Sequence, residues 1–409
     1  MKNGRLSPTT PFTESVDVYR AVCMQSRVKL VTQKADLKKN LRRALELIDY
    51  ASYVSPSPYR QDRELTYQPY CPLKLVAFAE SFLQGWLSAK KFKKIDVRES
   101  IKRGIFITIP GEETEAFGAK AKEHGIYIQG VALEYDPLFP DIHFNCAFIV
   151  GPNGKVIHKY RKFTPAYHYI ETSASPHDVY DKYREIYGHG KTSLETFFPV
   201  TDTPIGKLGT LICMDGHYPE NWRALAIQGA EIIIRGNFIE PLISPPNNIW
   251  EIQNRHAAWA NLAYVVAPNT GEMEEGFGRP RHFNAGDSMI VDFEGRLLAR
   301  TPYPGEACTS APIYLDILRR RRADPGRNFL TQLRTEVYRE IYKEPIYPKN
   351  LFAQEETRAN SYWEGYKRDT SHLKIIDRFI EHGIYKKPAY MEDGDRKTHA
   401  RGRTTSKAV

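Results

Sequence analysis

GKLGTLICMDGHYPENWR, residues 206–223, joins an apolar strand to a helix through a single cysteine. Residues 208–212 form a short apolar run typical of a buried strand, and Pro219 suits the first turn of a helix. A second apolar run follows at residues 230–237, so the segment predicts a strand–helix–strand unit of an α/β sheet. Cys213 would then lie at the carboxyl end of a strand, the edge where open α/β sheets bind ligands.

A lone cysteine at a strand end is most often a small buried hydrophobe, so Cys213 needs partners before it indicates catalysis. Glu80 abruptly ends an apolar run, and a carboxylate in that position suits a general base or, alternatively, a helix cap. Lys162 closes the second arm of a β-hairpin predicted by the Pro-Asn-Gly turn at residues 152–154. Its alternative is a solvated charge on a strand face.

Glu80, Lys162 in KYRKFTP and Cys213 in LICMDGHYPENWR follow the order and context of the nitrilase (carbon–nitrogen hydrolase) superfamily. The chain resembles that superfamily over residues 17–345. It is most similar to the aliphatic amidases and formamidases, which share Cys-x-Asp-Gly followed by Tyr/Phe-Pro-Glu, and Tyr-Arg-Lys before a proline. The resemblance implies an α/β fold, the α-β-β-α sandwich, which pairs into an αββα–αββα dimer.

The resemblance also implies a thiol mechanism without a cofactor or a metal. Glu80 would take the thiol proton, return it to the departing amine and then activate water against the thioester. Lys162 and the backbone N–H of Met214 would face the developing oxyanion. The expected reaction converts a small amide to a carboxylate and ammonia.

A second glutamate assists the reaction in this family, and two residues compete for that role. Glu171 lies in a segment tethered to Lys162, which favours it, while Glu134 lies near the same predicted sheet edge. Residues of the cysteine turn, of the predicted strand ends and of the tyrosine-rich stretch after Lys162 complete the expected substrate pocket. These substrate-binding predictions are Met214, His217, Glu134, Tyr167 and Asn237.

The residues after the cysteine leave several substrate classes open. Nitrilases carry Cys-Trp-Glu where this chain has Cys-Met-Asp, so an amide is favoured over a nitrile. His217 keeps an N-carbamoyl-amide hydrolase as an alternative, because that branch often has a basic pair shortly after the cysteine. An acyltransferase that passes the thioester to an amine would use the same residues. An inactive scaffold or a polyanion-binding protein is the alternative from a different class.

The 409 residues are predicted to form one large catalytic domain with appendages. Residues 1–16 form an N-terminal arm, and residues 346–409 form a C-terminal extension with a helix near residues 355–385. Pro- and Tyr-rich stretches near residues 51–71 and 166–196 are predicted to be inserted loops. Such loops are often lids or subunit contacts, and family members assemble into homo-oligomers.

Composition narrows the cellular setting and the partners. The sequence lacks a long apolar run and a secretion signal, and its five cysteines lack paired or metal-like spacing, so a cytoplasmic enzyme with reduced thiols is expected. About +4 of the net charge of +9 lies in residues 386–409, which are predicted to be disordered, and a second basic cluster lies at residues 319–322. No nucleic-acid motif accompanies either cluster, so a nucleic-acid partner is not expected.

Overall fold

The computed structural model describes residues 16–54, 71–85, 97–166, 173–238, 248–273, 286–353 and 361–389. Within them the strands are β1 (Val18–Gln25), β2 (Arg27–Val28), β3 (Leu73–Phe78), β4 (Tyr127–Tyr135), β5 (His143–Val150), β6 (Val156–Arg161), β7 (Val200–Thr201), β8 (Leu208–Ile212), β9 (Ile232–Gly236), β10 (Tyr264–Ala267), β11 (Glu272–Met273), β12 (Ser288–Val291), β13 (Leu297–Thr301) and β14 (Ala307–Tyr314). The α-helices are α1 (Lys34–Val54), α2 (Val97–Lys102), α3 (Glu112–His124), α4 (Tyr180–Tyr187), α5 (Ser193–Phe197), α6 (Pro219–Ile227), α7 (Ile249–Asn261), α8 (Leu315–Ala323), α9 (Thr335–Tyr338) and α10 (Ser361–Glu381).

In the described part of the chain the long strands form two six-stranded sheets, and β11 pairs with β2. The first sheet has the order β14-β1-β3-β4-β5-β6, and the second has the order β13-β12-β10-β9-β8-β7. Their buried strands are rich in Val, Ile, Leu and Phe, as expected where both faces of a sheet are covered. The sequence prediction of strands at residues 208–212 and of a hairpin ending before Lys162 is confirmed.

The layers follow the order helix, sheet, sheet, helix. Between the sheets lies a core shared by inward-facing residues of both, including Tyr19, Leu75, Ile149, Ile232 and Val266. On the outer face of the first sheet, α1 and α3 bury an apolar cluster. On the outer face of the second sheet, α6 and α7 bury another through two tryptophans, Trp222 and Trp250. This arrangement is the predicted α-β-β-α sandwich.

Strand direction brings several strand ends to one edge of the sandwich. β3 runs parallel to β4, and β5 is antiparallel to both β4 and β6, so β3, β4 and β6 point the same way. In the second sheet β8 and β9 are also parallel. The residues that follow β3, β6, β8 and β9 are therefore the ones that the fold can gather into a site.

Two predicted loops are partly helical. Residues 51–54 complete α1, and residues 55–70 of that predicted loop lie outside the described residues. The stretch predicted as a loop at residues 166–196 contains a 3₁₀ turn at Pro176–Val179 followed by α4 and most of α5. In the C-terminal extension α10 (Ser361–Glu381) forms part of the predicted helix, and residues 354–360 lie outside the described residues.

Among the described residues, no helix combines the length and the apolar character that a bilayer-spanning segment requires.

Candidate active site

A buried carboxylate–ammonium pair lies at the edge where β3 and β6 end. Glu80 and Lys162 are both fully buried, and Lys162 Nζ lies 2.8 Å from Glu80 Oε1. Asn145 Nδ2 donates a second hydrogen bond to the same oxygen at 2.7 Å. Buried charges are costly unless they are paired and hydrogen-bonded, so these contacts fix the Glu80 carboxylate in one position.

Cys213 lies at a sharp turn between β8 and α6. Its φ of 46° is in the left-handed region, which costs a non-glycine residue about 1–2 kcal/mol. A 3₁₀ turn, Cys213–His217, begins there, and Pro219 then starts α6 as the sequence predicts. A sharp turn at a strand end lifts the side chain off the sheet, which is the placement that a nucleophile needs.

The Asp215 carboxylate ties this turn to the neighbouring segments. It accepts hydrogen bonds from Tyr160 Oη at 2.7 Å, from the Thr164 N–H at 2.7 Å and from the Ile212 N–H at 3.1 Å. Burial raises the pKa of Asp215 to about 6, and the nearby Lys162 cation partly offsets that effect. The Asp215 contacts therefore couple the cysteine turn to the segment that carries Lys162.

Beside the Glu80–Lys162 pair, a glycine lets the two sheets approach closely and one main-chain hydrogen bond joins them. Gly236 ends β9 opposite Ile212, and a Cβ there would lie only 2.8 Å from Val131 Cγ2 in the first sheet. The next residue, Asn237, accepts a hydrogen bond from the Glu80 N–H at 3.2 Å. Glu80 is therefore fixed to the second sheet, next to the strand that Cys213 follows.

Arg235 lies beneath the cysteine turn and is fully buried. Its Nε and Nη2 donate to the Cys213 carbonyl oxygen at 3.1 and 2.8 Å, and its Nη1 donates to Asn254 Oδ1 at 3.1 Å. The guanidinium carbon lies 4.7 Å from the ring centroid of Trp250 and 5.8 Å from that of Trp222. These contacts pair a buried cation with a backbone dipole and two aromatic faces.

Glu134, one of the two candidates for the second glutamate, lies in a different cluster. Arg161 Nε and Nη2 bind its carboxylate at 2.7 and 3.0 Å, and Lys159 also contacts it. Residues alternate between the faces of a strand, so Lys159 and Arg161 point away from the face on which Tyr160 reaches Asp215. The structure thus places the Glu134 side chain in an ion-pair cluster on the outer face of the first sheet, where its described partners are Arg161 and Lys159 and not the Glu80–Lys162 pair.

The remaining predicted site residues have mixed outcomes. Glu171 and Tyr167 lie outside the described residues. Met214 and His217 are half-buried in the cysteine turn. Asn237 is fully buried and donates from Nδ2 to Asn269 Oδ1 at 3.1 Å, so its described contacts hold Glu80 and a neighbouring loop.

Three residues beside the predicted set, Asn145, Arg235 and Asp215, were not predicted from the sequence. Asn145 and Arg235 interrupt otherwise apolar strands, HFNCAFIV and IIIRG, and a polar residue in a buried strand is a signal for a specific partner. Asp215 lies two positions after the cysteine, where an acidic residue is also a candidate for the site.

One group of side chains among the described residues has ligand atoms close enough to hold a metal: Asp49, Glu123 and His124. It lies on the α1 and α3 surface, where Lys120 Nζ already contacts Asp49 Oδ1 at 2.7 Å. Its position in the outer helical layer separates it from the edge that carries Cys213.

Residues 21–322 match the family model described as carbon–nitrogen hydrolase. The chain belongs to this family. As a carbon–nitrogen hydrolase it acts on carbon–nitrogen bonds other than peptide bonds, and the resemblance inferred from the three motifs is confirmed.

This carbon–nitrogen hydrolase is 27% identical over 309 residues to a formamidase of Bacillus cereus (strain Q1), a match that covers 75% of this chain and 77% of the relative. Solved structures share its fold. A carbon–nitrogen hydrolase from Helicobacter pylori G27 has a TM-score of 0.57 at 21% identity, covering 80% of this chain and 99% of that one. A mutant amidase from Nesterenkonia sp. AN1, with the acetamide moiety of fluoroacetamide added covalently at its active-site cysteine, has a TM-score of 0.55 at 14% identity, covering 81% of this chain and 99% of that one.

Proposed function

We propose that this hydrolase converts a small amide to a carboxylate and ammonia through a thioester on Cys213. The observation that carries the proposal is the buried Glu80–Lys162 pair at the sandwich edge where the strand before Cys213 ends. A carboxylate, a cation and a thiol at one edge are the groups that acyl transfer through sulfur requires.

In the first half-reaction Glu80 accepts the thiol proton, and the Cys213 sulfur forms a bond to the amide carbonyl carbon. The carbonyl π electrons move to oxygen, where the Lys162 ammonium and the Met214 N–H stabilise the negative charge. Glu80 then gives the proton to the nitrogen, the carbon–nitrogen bond breaks, and ammonia leaves. Cys213 carries the acyl group as a thioester.

In the second half-reaction Glu80 removes a proton from water as the water oxygen attacks the thioester carbon. The carbon–sulfur bond breaks, the sulfur regains a proton, and the carboxylic acid is released. One carboxylate therefore serves both halves, and its fixed position between Lys162 and Asn145 suits both. Glu171 remains the proposed second glutamate, orienting Lys162 or assisting the leaving group.

A small acyl group is the best-supported substrate feature. The relatives named formamidase act on an amide, as that name states, and the Nesterenkonia amidase carries a two-carbon acetamide moiety on its cysteine. This chain shares the family over most of its length, so formamide and short aliphatic amides are the first substrates to test.

The contacts of the basic cluster bear on the polyanion-binding alternative. The basic cluster at residues 319–322 supports no polyanion role, since its arginines bind partners within the chain: Glu231, Asp316, Glu294 and the carbonyls of Leu262 and Gly229.

A homodimer through the helical face remains our proposal. Exposed apolar side chains on that face support it, namely Ile227, Ile252 and Trp259.

The test measures ammonia and acid release by the wild type over formamide, short aliphatic and aromatic amides, N-carbamoyl compounds and nitriles. Intact-mass measurement after rapid quenching should detect one acyl group on Cys213 during turnover. Cys213→Ala should abolish both signals, whereas Cys308→Ala, which removes an exposed thiol, should leave them unchanged. Turnover by folded Cys213→Ala, or no turnover of any compound by the wild type, would count against the proposal.

A further inference from the structure

We propose that Arg235 is a positioning residue that turns the peptide bond between Cys213 and Met214 so that the Met214 N–H faces the substrate oxyanion. This inference deepens the proposed function and rests on it for the identity of the oxyanion. It assigns a role in catalysis to a buried cation that does not itself need to touch the substrate.

The first observation is that Arg235 holds the Cys213 carbonyl with two donors at once. Nε and Nη2 reach the same oxygen at 3.1 and 2.8 Å, so the carbonyl cannot rotate without losing both bonds. The guanidinium is itself fixed, because Nη1 donates to Asn254 and the Trp250 ring lies 4.7 Å from the guanidinium carbon. A charge-assisted contact of this kind is about twice as strong as a neutral hydrogen bond.

The second observation concerns the other end of the same peptide bond. A trans peptide is planar, and its C=O and N–H point in opposite directions. Because Arg235 holds the Cys213 oxygen on one side, the Met214 N–H is directed to the other side. Met214 is also the second residue of the 3₁₀ turn Cys213–His217, and the first N–H groups of a helix lack an intrahelical partner. The turn itself therefore supplies no hydrogen-bond acceptor for this N–H.

The third observation is that the chain leaves room for the guanidinium. A Cβ at Gly216 would lie 2.1 Å from Arg235 Nε, so this position must be glycine for the contact to form. The left-handed φ of Cys213 also requires a compensating interaction, and the bonds from Arg235 provide one at the adjoining carbonyl. A neutral core side chain would fill the volume without orienting the peptide.

The experiment compares Arg235→Met, Asn254→Leu and Arg322→Met with the wild type. Arg322 is the matched control, since its Nε and Nη1 bind the Leu262 and Gly229 carbonyls away from the cysteine turn. Three quantities are measured for each variant. They are kcat and KM for the best amide, the inhibition constant of the corresponding aldehyde, and the rate at which methyl methanethiosulfonate labels the Cys213 peptide.

An aldehyde adds to the thiolate and forms a tetrahedral adduct whose oxygen occupies the oxyanion position, whereas the thiosulfonate transfers a methylthio group to sulfur and forms no oxyanion. Arg235→Met should lower kcat about 100-fold, as expected for the loss of one oxyanion donor, with KM within threefold. Aldehyde binding should weaken by a similar factor, and labelling of Cys213 should stay within threefold. Asn254→Leu, which releases only Nη1, should reduce kcat about tenfold and tests the idea if Arg235→Met does not fold.

Arg322→Met should lower thermal stability and leave kcat, aldehyde binding and labelling unchanged. Parallel losses of kcat and of Cys213 labelling would mean that Arg235 merely places the sulfur, and would overturn the inference. An unchanged kcat in folded Arg235→Met would also overturn it. If the wild type turns over no amide but still binds the aldehyde, and Arg235→Met weakens that binding, the proposed substrate fails while the role of Arg235 stands.

Discussion

Two buried clusters that each pair a cation with a carboxylate lie at the end of β6, on opposite faces of the sheet, and their cations are neighbours in sequence. Lys162 follows the strand and pairs with Glu80 on the side of the second sheet, beside the cysteine turn. Arg161, the last residue of the strand, pairs with Glu134 and Asp136 on the outer side. Both clusters are almost fully buried, so burial alone does not distinguish the proposed catalytic pair from a structural one.

The chemistry of the partners does distinguish them. In the outer cluster the charged groups bind one another and their neighbours. Arg161 binds two carboxylates, and its guanidinium carbon lies 4.2 Å from the Phe144 ring centroid. Tyr187 from α4 donates to Asp136. Although burial raises the pKa of Asp136, the Tyr187 hydroxyl and the Arg161 cation lower it below its ordinary value. Such a cluster suits the docking of the inserted helix against the sheet.

The inner cluster uses a lysine, a compact charge whose three N–H donors can be shared between Glu80 and a substrate oxygen. Asn145 holds the same Glu80 oxygen that Lys162 binds. The comparison therefore predicts that the inner pair controls rate and that the outer pair controls stability.

The largest expected effect is that of Glu80→Gln. The variant keeps the shape of the side chain but cannot accept the thiol proton, so kcat should fall about 10³-fold or more, within the usual range for general acid–base catalysis. Steady-state kinetics on the best amide would measure the loss, and circular dichroism would confirm that the variant folds. A folded variant with wild-type kcat would exclude Glu80 as the base.

The next effect, Glu134→Gln, should be one of stability. The change removes one carboxylate from a buried cation and should lower the free energy of unfolding by about 3 kcal/mol, because an incompletely compensated buried charge is costly. Urea denaturation would measure it, and kcat should stay within threefold of the wild type. A tenfold fall in kcat with unchanged stability would instead make Glu134 the second glutamate and remove the case for Glu171.

The sequence alone predicted the strand ends well, since each is marked locally. The apolar run before Glu80, the Pro-Asn-Gly turn before Lys162, and Pro219 after the cysteine are short-range signals, and each element lies where they indicate. The faces of the strands were harder to predict. β4 is buried on both faces, so its pattern does not reveal which way Glu134 points, and only the pairing of β4, β5 and β6 places it beside Arg161.

The site residues that the sequence did not predict are joined to it by contacts between segments that are distant in the chain. Asn145 is 65 residues from Glu80, and Arg235 is 22 residues from Cys213, so no local pattern joins them. Helix α4 differs from these contacts, because the sequence does contain a local pattern that indicates it. Tyr180, Tyr183 and Tyr187 have the i, i+3, i+7 spacing of a helical face, which the tyrosine-rich composition of the segment obscured.

The smallest effect at neutral pH concerns His158, which lies on the same inner face as Tyr160 but contacts Thr201 and Thr210 at 2.9 Å each. Burial lowers its pKa to about 4, from about 6.5 in an unfolded chain. Between these values the unfolded state binds the proton and the folded state does not, so His158 lowers the free energy of unfolding progressively as the pH falls from about 6.5 to about 4. The full loss is about 3 kcal/mol at 1.36 kcal/mol per pKa unit.

His158→Gln keeps a donor and an acceptor for the two threonines and removes the titration. At each pH the free energy of unfolding of the variant, from urea denaturation, is subtracted from that of the wild type, which cancels the contributions of the carboxyl groups. The difference should change with pH between 4 and 6.5 and be constant above. The kcat values at pH 7 should agree within twofold, because His158 has no contact with Glu80 or Lys162 among its described hydrogen bonds. A flat difference would show that the imidazole has the same pKa in the folded and the unfolded state. A large fall in kcat would show that residues elsewhere on the inner face control the rate as well, and would contradict the assignment of that control to the Glu80–Lys162 pair.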